Sequence, residues 1–169
     1  MVGRAIVWLV ASCFAAGAAS AQDPKSLGAF EHWSAFGAGA KAAMVCYVYG
    51  EPQKAEGDYA KRGAAYLQIA HRMKDKVANE VSVTAGYAYK KDSEADLEVD
   101  GTKFLLFTKD EAAWARDDKT EDAIVKAMRA GKRMIVRGVS SRGTKTTDTY
   151  SLAGFTQAMN AVNAACGVK

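Results

Sequence analysis

The sequence is poor in the features that define several protein classes. It has two prolines and fifteen glycines among 169 residues, which excludes a collagen-like chain or a proline-rich linker. Beyond its first 21 residues it has no run of about eighteen apolar residues, which excludes a protein with several membrane spans. Its formal charge of +4 is too small and too scattered for nucleic-acid binding. The 49% hydrophobic and 25% charged residues are typical of a globular chain, and the length suits one domain.

Residues 1–21 have the pattern of a cleavable secretory signal peptide. Arg4 supplies a positive start, residues 5–16 are apolar, and Ala19-Ser20-Ala21 forms a small-residue cleavage site. A transmembrane anchor is the alternative, but the apolar run is short and rich in alanine, and no basic flank follows it. The segment that ends at Cys13 also resembles a lipoprotein cleavage box, which would give a lipidated form. We predict a cleavable signal peptide and an exported protein.

Cleavage would leave residues 22–169 as a single domain with two cysteines, Cys46 and Cys166. It would lower the formal charge to +3, because Arg4 is the one charged residue removed. An even number of cysteines in an exported chain favours a disulfide, although two separate buried thiols are the alternative. A bridge across a loop of about 120 residues is worth on the order of 4–5 kcal/mol in the chain-entropy model. No Cys-x-x-Cys spacing is present, so the predicted bridge is structural rather than catalytic.

The mature chain is predicted to contain about eight or nine short β-strands. β-Branched and aromatic residues, alternating patterns and turn residues indicate them. The predicted strands are 29–36, 42–49, 64–73, 80–87, 97–99, 102–104, 112–116, 134–140 and 145–152. Residues 22–28 are interpreted as a polar arm and residues 51–62 as a loop.

Asp100-Gly101 provides the clearest local signal. An Asp-Gly pair between alternating residues is typical of a two-residue type I′ hairpin. The predicted register pairs Val99 with Thr102, Glu98 with Lys103, and Leu97 with Phe104. It places an opposite-charge pair on one face and an apolar pair on the other, as a half-buried sheet requires.

Two segments have helical periodicity. In 118–130, acidic residues begin the segment, Ile124, Val125 and Met128 form an apolar face, and Gly131 follows as a C-cap. In 153–165 the apolar residues again follow helical spacing. We therefore predict a mainly β fold, a β-sandwich with a helix near 119–130 and a C-terminal helix.

Residues capable of chemistry are sparse. His71 and Met73 lie two apart on a predicted strand and could bind copper, but no further histidine or methionine cluster completes a site. We predict a half-exposed strand histidine instead. The Gly138–Gly143 segment lacks the spacing of a serine elbow, and the carboxylate groups match no metal or glycosidase pattern. The sequence therefore predicts no catalytic residue, no metal site and no cofactor.

Aromatic residues are numerous for this length. Most of them should lie in the core or on sheet faces, and a partner-binding aromatic patch is the alternative. The aromatic residues in question are Trp33, Trp114, Tyr47, Tyr49, Tyr66, Tyr87 and Tyr89.

Two motifs lie at the ends of the mature chain. One is Phe30-x-x-Trp33 before Cys46, and the other is the run from Thr149 to Met159. Together they resemble the invasion-associated locus B (IalB) family of alphaproteobacteria, since the second run is similar to the family's Ser-Leu-x-Gly-Phe-x-x-Ala ending. Its matching residues are Ser151, Leu152, Gly154, Phe155 and Ala158.

The resemblance implies an exported protein with an immunoglobulin-like β-sandwich and a role at the cell envelope, linked in some pathogens to host-cell invasion. It supplies no catalytic residues. Family members commonly have a further cysteine pair, which residues 112–122 lack here, and the spacing from Trp33 to Cys46 is longer than usual. The chain would thus belong to a divergent branch.

The functional hypothesis is a non-enzymatic binding or interaction module of the periplasm or cell envelope. Its partner would be an envelope or surface protein, with no nucleic acid and no transmembrane span in the mature chain. A small-ligand or metal carrier that uses His71, Met73 and the aromatic residues is the alternative. An envelope hydrolase is a third hypothesis, which requires polar residues distant in sequence to converge.

Overall fold

The computed structural model describes residues 23–168, so the predicted signal peptide and Cys13 lie outside the described residues. The described chain forms eleven β-strands and two α-helices. The strands before the central hairpin are β1 (Lys25–Phe30), β2 (Trp33–Ala38), β3 (Val45–Gly50), β4 (Lys54–Gly57), β5 (Tyr66–Arg72) and β6 (Val77–Thr84). The later strands are β7 (Glu94–Val99), β8 (Thr102–Lys109), β9 (Ala112–Trp114), β10 (Arg133–Val139) and β11 (Lys145–Ser151). The helices are α1 (Asp118–Ala130) and α2 (Phe155–Cys166).

The strands form one antiparallel sheet in the order β1-β2-β3-β5-β6-β9-β8-β7-β10-β11-β4. Buried and more exposed residues alternate along most strands, because successive side chains of a strand point to opposite faces. The sheet therefore has an inner face against the hydrophobic core and an outer face towards solvent. Helix α2 packs on β1, β2 and β3, while α1 packs on β6. The predicted mainly β, sandwich-like fold with two helices is confirmed.

The strongest local predictions are confirmed residue by residue. Strands β7 and β8 pair Val99 with Thr102, Glu98 with Lys103, and Leu97 with Phe104. The two turn residues have positive φ angles of 43° and 93°, as a type I′ turn requires. Helix α1 has the predicted bounds, and the side chain of Asp117 caps its start by accepting a 2.8 Å hydrogen bond from the Thr120 N–H.

The structure has eleven strands where nine were predicted, because two of them show no recognisable strand pattern in the sequence. The predicted strand 29–36 is two strands, since the chain turns at Glu31, which has a φ of 52°. Most of the predicted polar arm belongs to β1. Strand β4 lies within the predicted loop 51–62, where all four of its residues are exposed. Backbone pairing with β11 holds this edge strand in place, and such pairing leaves no apolar pattern in the sequence.

A disulfide joins Cys46 in β3 to Cys166, the last residue of α2. The two Cα atoms are 6.1 Å apart and 120 positions separate the residues. Cys46 is fully buried, so the bridge ties the C-terminal end of α2 directly to the core.

Across residues 23–168, neither helix has the length and apolar character that a membrane crossing requires.

Candidate functional site

The residues that carry the family resemblance meet at one junction. The Trp33 indole nitrogen donates a 2.9 Å hydrogen bond to the Ser151 carbonyl oxygen, across 118 positions of sequence. The Trp33 ring meets Phe155 edge-on, with 5.0 Å between the ring centroids. Leu152 is buried and donates its N–H to the Lys132 carbonyl oxygen at 3.0 Å. The motif thus fastens the β1–β2 hairpin to the start of α2.

Gly154 allows this junction to close. Its φ angle is +87°, and an added Cβ would collide with the carbonyl oxygen of Phe30. Helix α2 consequently begins at Phe155, two residues later than the predicted start at Ala153. Trp33, Leu152 and Phe155 are buried, so these motif residues serve packing.

His71 is fully buried, so the prediction of a half-exposed histidine is wrong. Its Nδ1 accepts a 3.0 Å hydrogen bond from the Asn79 N–H, and its Nε2 pairs with the Asn163 side-chain oxygen at 2.9 Å. Burial lowers the pKa of His71, which favours the neutral ring. Met73 lies beyond the end of β5 in a short 3₁₀ turn. Both ring nitrogens of His71 are thus already hydrogen-bonded to protein groups.

A buried ion pair between Arg62 and Asp148 is the most unusual polar feature of the described chain. Two guanidinium nitrogens donate to the two carboxylate oxygens at 2.7 and 2.6 Å, and Nε donates to the Ala85 carbonyl oxygen at 2.6 Å. The two side chains are only 5% and 3% exposed. Burial disfavours the charge of Arg62, but the hydrogen bonds and charge of Asp148 outweigh it and raise the pKa. The pair fixes the segment before β5 against β11.

Tyrosines surround this ion pair. The rings of Tyr59 and Tyr87 lie 5.5 and 5.1 Å from the guanidinium carbon, within the range of cation–π attraction. The Tyr87 hydroxyl shares a 2.6 Å hydrogen bond with Thr146, and burial raises the pKa of Tyr87. Sequence analysis missed this cluster, since its members come from three separate segments.

A cleft of about 690 Å³ opens beside the cluster. Its walls come from residues 58–63, 86–88 and 140–146 and from Glu111, and we call it the polar cleft. Hydroxyl groups, tyrosine rings and charges of both signs line it. This cleft does not support the hypothesis of a ligand cavity lined by His71 and Met73, because neither residue lines it.

One half of the outer face of the sheet carries aromatic side chains on β2, β3, β5, β8 and β9, and β6, which lies between β5 and β9, adds Ser82 and Thr84 to it. The aromatic side chains are all partly exposed, and we call them together the outer aromatic face: Phe36, Tyr47, Tyr49, Tyr66, Phe107 and Trp114. Phe36 packs on Tyr47 at 5.2 Å and Tyr49 on Tyr66 at 5.1 Å. Burial and the Glu51 carboxylate raise the pKa of Tyr49 to about 12.

The other half of the outer face, on β7, β10, β11 and β4, has a different composition. Apart from Ile135 and Val139 of β10, its outward residues are charged or hydroxylated: Glu94, Asp96, Glu98, Arg133, Arg137, Lys145, Thr147, Thr149, Ser151, Lys54 and Glu56. Leu105 lies at the boundary, opposite Asp96, and is 52% exposed. The aromatic residues are therefore concentrated on one side rather than scattered.

Glu121 in the first turns of α1 is a buried carboxyl group. Its Oε1 accepts a 3.3 Å hydrogen bond from the Val81 N–H of β6. Burial raises its pKa to about 7, assisted by the nearby charges of Glu80, Asp118 and Asp122 and opposed by the hydrogen bond from Val81. The folded protein therefore holds a proton on Glu121 at pH values where the unfolded chain has lost it.

We expect Glu121→Gln to stabilise the protein above neutral pH by about 1–3 kcal/mol. Folding raises the pKa of Glu121, so the contribution of this side chain to the free energy of unfolding is fully present below about pH 4.5. That contribution is lost as pH rises through about 7. Glutamine cannot ionise, so the difference in free energy of unfolding between variant and wild type should grow across that window and then level off. Urea denaturation at pH 4.5, 6 and 8 measures it, and a pH-independent difference would contradict the assignment.

Fold and surface together define a disulfide-linked β domain with a partly exposed aromatic sheet face and a polar cleft. The family model described as "Invasion associated locus B (IalB) protein" matches residues 33–163. The chain belongs to this family, which confirms the resemblance seen in the sequence. No curated protein and no solved structure matches the chain.

Proposed function

We propose that the protein is an exported, non-enzymatic interaction module of the cell envelope, which binds an envelope or surface protein through the outer aromatic face. Membership of the Invasion associated locus B family and the signal-peptide pattern of residues 1–21 support this location. The proposed role serves host-cell invasion or envelope maintenance. The concentration of partly exposed aromatic side chains on one half of the outer sheet face carries the proposal.

The residue types of this face suit protein recognition. Tyrosine, tryptophan and arginine supply most binding hot spots, because they bury a large area and keep a polar group for hydrogen bonding. Arg116 adds a cation 5.7 Å from the centre of the Phe107 ring, and Glu94 holds its guanidinium at 2.6 Å. Partly exposed apolar surface that is gathered on one part of a domain is typical of interaction sites.

The polar groups of the cleft favour binding over turnover. Arg62 hydrogen-bonds to Asp148 behind the cleft wall, and Tyr87 hydrogen-bonds to Thr146, so the geometry of these groups is fixed by contacts within the protein. A metal carrier centred on His71 loses support, because its two ring nitrogens are engaged by Asn79 and Asn163.

Leu105→Glu is expected to reduce recovery of the partner at least about tenfold in in-cell cross-linking of the tagged protein, followed by mass spectrometry. A carboxylate inserted beside the aromatic residues would lose its water when the partner covers it, which costs several kcal/mol if the charge is left unpaired. The melting temperature should fall only slightly, because Leu105 is 52% exposed and the repulsion between the new carboxylate and Asp96, which lies opposite it on β7, costs no more than about 1 kcal/mol.

Thr149→Glu is the matched control. It adds the same charge on the polar half of the outer face, opposite Lys54 of β4. Its partner recovery should equal that of the wild type. The proposal would be overturned if every sample contained background proteins alone. It would also be overturned if the Leu105→Glu variant recovered the partner as well as the wild type does.

A further inference from the structure

We infer that the polar cleft is a binding site for a neutral saccharide. The cleft shares no lining residue with the outer aromatic face, so the inference stands apart from the proposed function. Its volume of about 690 Å³ lies within the range of small-molecule sites, which is roughly 300–1,000 Å³.

The walls of the cleft are held by contacts within the protein. The Gly63 N–H donates to the Gly86 carbonyl oxygen at 2.9 Å, and a Cβ on Gly86 would collide with the backbone of Gly63. The Ser141 N–H donates to the Ala88 carbonyl oxygen at 2.7 Å. A site fixed in this way loses little conformational entropy when a ligand binds.

The hairpin wall is fixed by a serine side chain. The Ser140 hydroxyl oxygen accepts hydrogen bonds from the Arg142 and Thr144 N–H groups at 3.3 and 3.2 Å. This turn therefore presents the neighbouring Ser141 and Thr144 side chains from a defined backbone.

The charges around the cleft balance. Lys61, Arg62 and Arg142 line it with Asp58 and Glu111, and Asp148 neutralises Arg62 from within the fold. A site selective for phosphate or another anion would carry an excess of positive charge, which this cleft does not have among the described residues. The balance favours an uncharged ligand.

The remaining chemistry suits a sugar. Hydroxyl groups of Ser141 and Thr144 line the cleft together with the Tyr59 and Tyr87 rings. A saccharide offers hydroxyl groups on its edges and apolar C–H surface on its ring faces. Its hydroxyl groups can hydrogen-bond to the serine and threonine, and its ring faces can pack on the tyrosines.

The test uses saturation-transfer NMR on the mature protein with chitotriose and maltotriose as neutral probes, and inorganic phosphate as the anionic probe. We expect transfer to at least one trisaccharide and no competition by phosphate. Ala88→Trp should fill the cleft and weaken binding at least about tenfold, because Ala88 is exposed and lines it. Ala78→Trp, an exposed alanine of β6 outside the cleft, should bind within about twofold of wild type.

If Ala88→Trp does not fold, Ser141→Tyr fills the same cleft from an exposed hairpin position. Absence of transfer to both trisaccharides, binding that the cleft-filling variants leave unchanged, or displacement by phosphate would each overturn the inference.

Discussion

Replacing Arg62 with alanine is expected to lower the free energy of unfolding by about 3–5 kcal/mol. The substitution leaves the carboxylate of Asp148, 3% exposed, without its cation and without two hydrogen bonds. A buried charge deprived of its partner keeps the full penalty of lost hydration, so the damage exceeds the net value of the pair. Urea denaturation followed by circular dichroism measures the loss.

The exposed pair Lys54–Glu56 provides the matched control. Its charged atoms are 2.8 Å apart, but the two side chains are 67% and 48% exposed. Lys54→Ala should therefore cost no more than about 1 kcal/mol, the ordinary range of surface ion pairs. A loss of that small size for Arg62→Ala would show that water reaches Asp148 in solution.

A second variant separates the cost of an orphaned charge from the value of the pair. Arg62→Met combined with Asp148→Leu removes both charges and retains apolar volume. Replacement of buried ion pairs by apolar residues is often neutral or stabilising, so this double variant should recover most of the stability lost in Arg62→Ala. Failure to recover would mean that the bond to Ala85 and the tyrosine contacts carry the effect.

Features that depend on neighbouring residues were predictable from the sequence. The Asp100-Gly101 hairpin followed from turn chemistry and alternation, and α1 followed from its cap, its apolar periodicity and its final glycine. In these segments local preference and tertiary packing favour the same conformation. Their bounds and register therefore agreed with the structure.

Features that depend on distant pairing were not predictable in this way. Strand β4 is exposed and pairs only with β11, so it has neither a hydrophobic pattern nor β-branched residues. The turn at Glu31 requires a left-handed conformation that glutamate rarely adopts, and no glycine or asparagine marks it. In both places the tertiary structure overrides local preference.

The ion pair beside the polar cleft joins residues that lie still farther apart in the sequence. Arg62 and Asp148 lie 86 positions apart, and an arginine in a polar segment gives no sign of burial. One signal was available: Asp148 alternates with Thr146 and Tyr150 on the inward side of β11, where a carboxylate needs a cation. That pattern indicates a buried ion pair without identifying its partner.

Removal of the disulfide is expected to produce the second large loss, on the order of 4–5 kcal/mol for Cys46→Ser combined with Cys166→Ser. The bridge spans 120 positions, and a cross-link over so long a loop strongly restricts the unfolded chain. Denaturation of the oxidised wild type against the double variant measures the difference. If the peptides that contain Cys46 and Cys166 migrate separately in a non-reduced digest, the disulfide is absent and the prediction fails.

The denaturant slope m distinguishes the unfolded-state effect from lost packing. If the bridge acts by restricting the unfolded chain, its removal lets that chain expand and expose more surface, so m should rise while the midpoint falls. If the loss comes from the polar hydroxyls placed at buried Cys46 and at Cys166, the midpoint should fall with m unchanged. Chemically reduced wild type lacks those hydroxyls, so its agreement with the double variant in both quantities would assign the stabilisation to the cross-link itself.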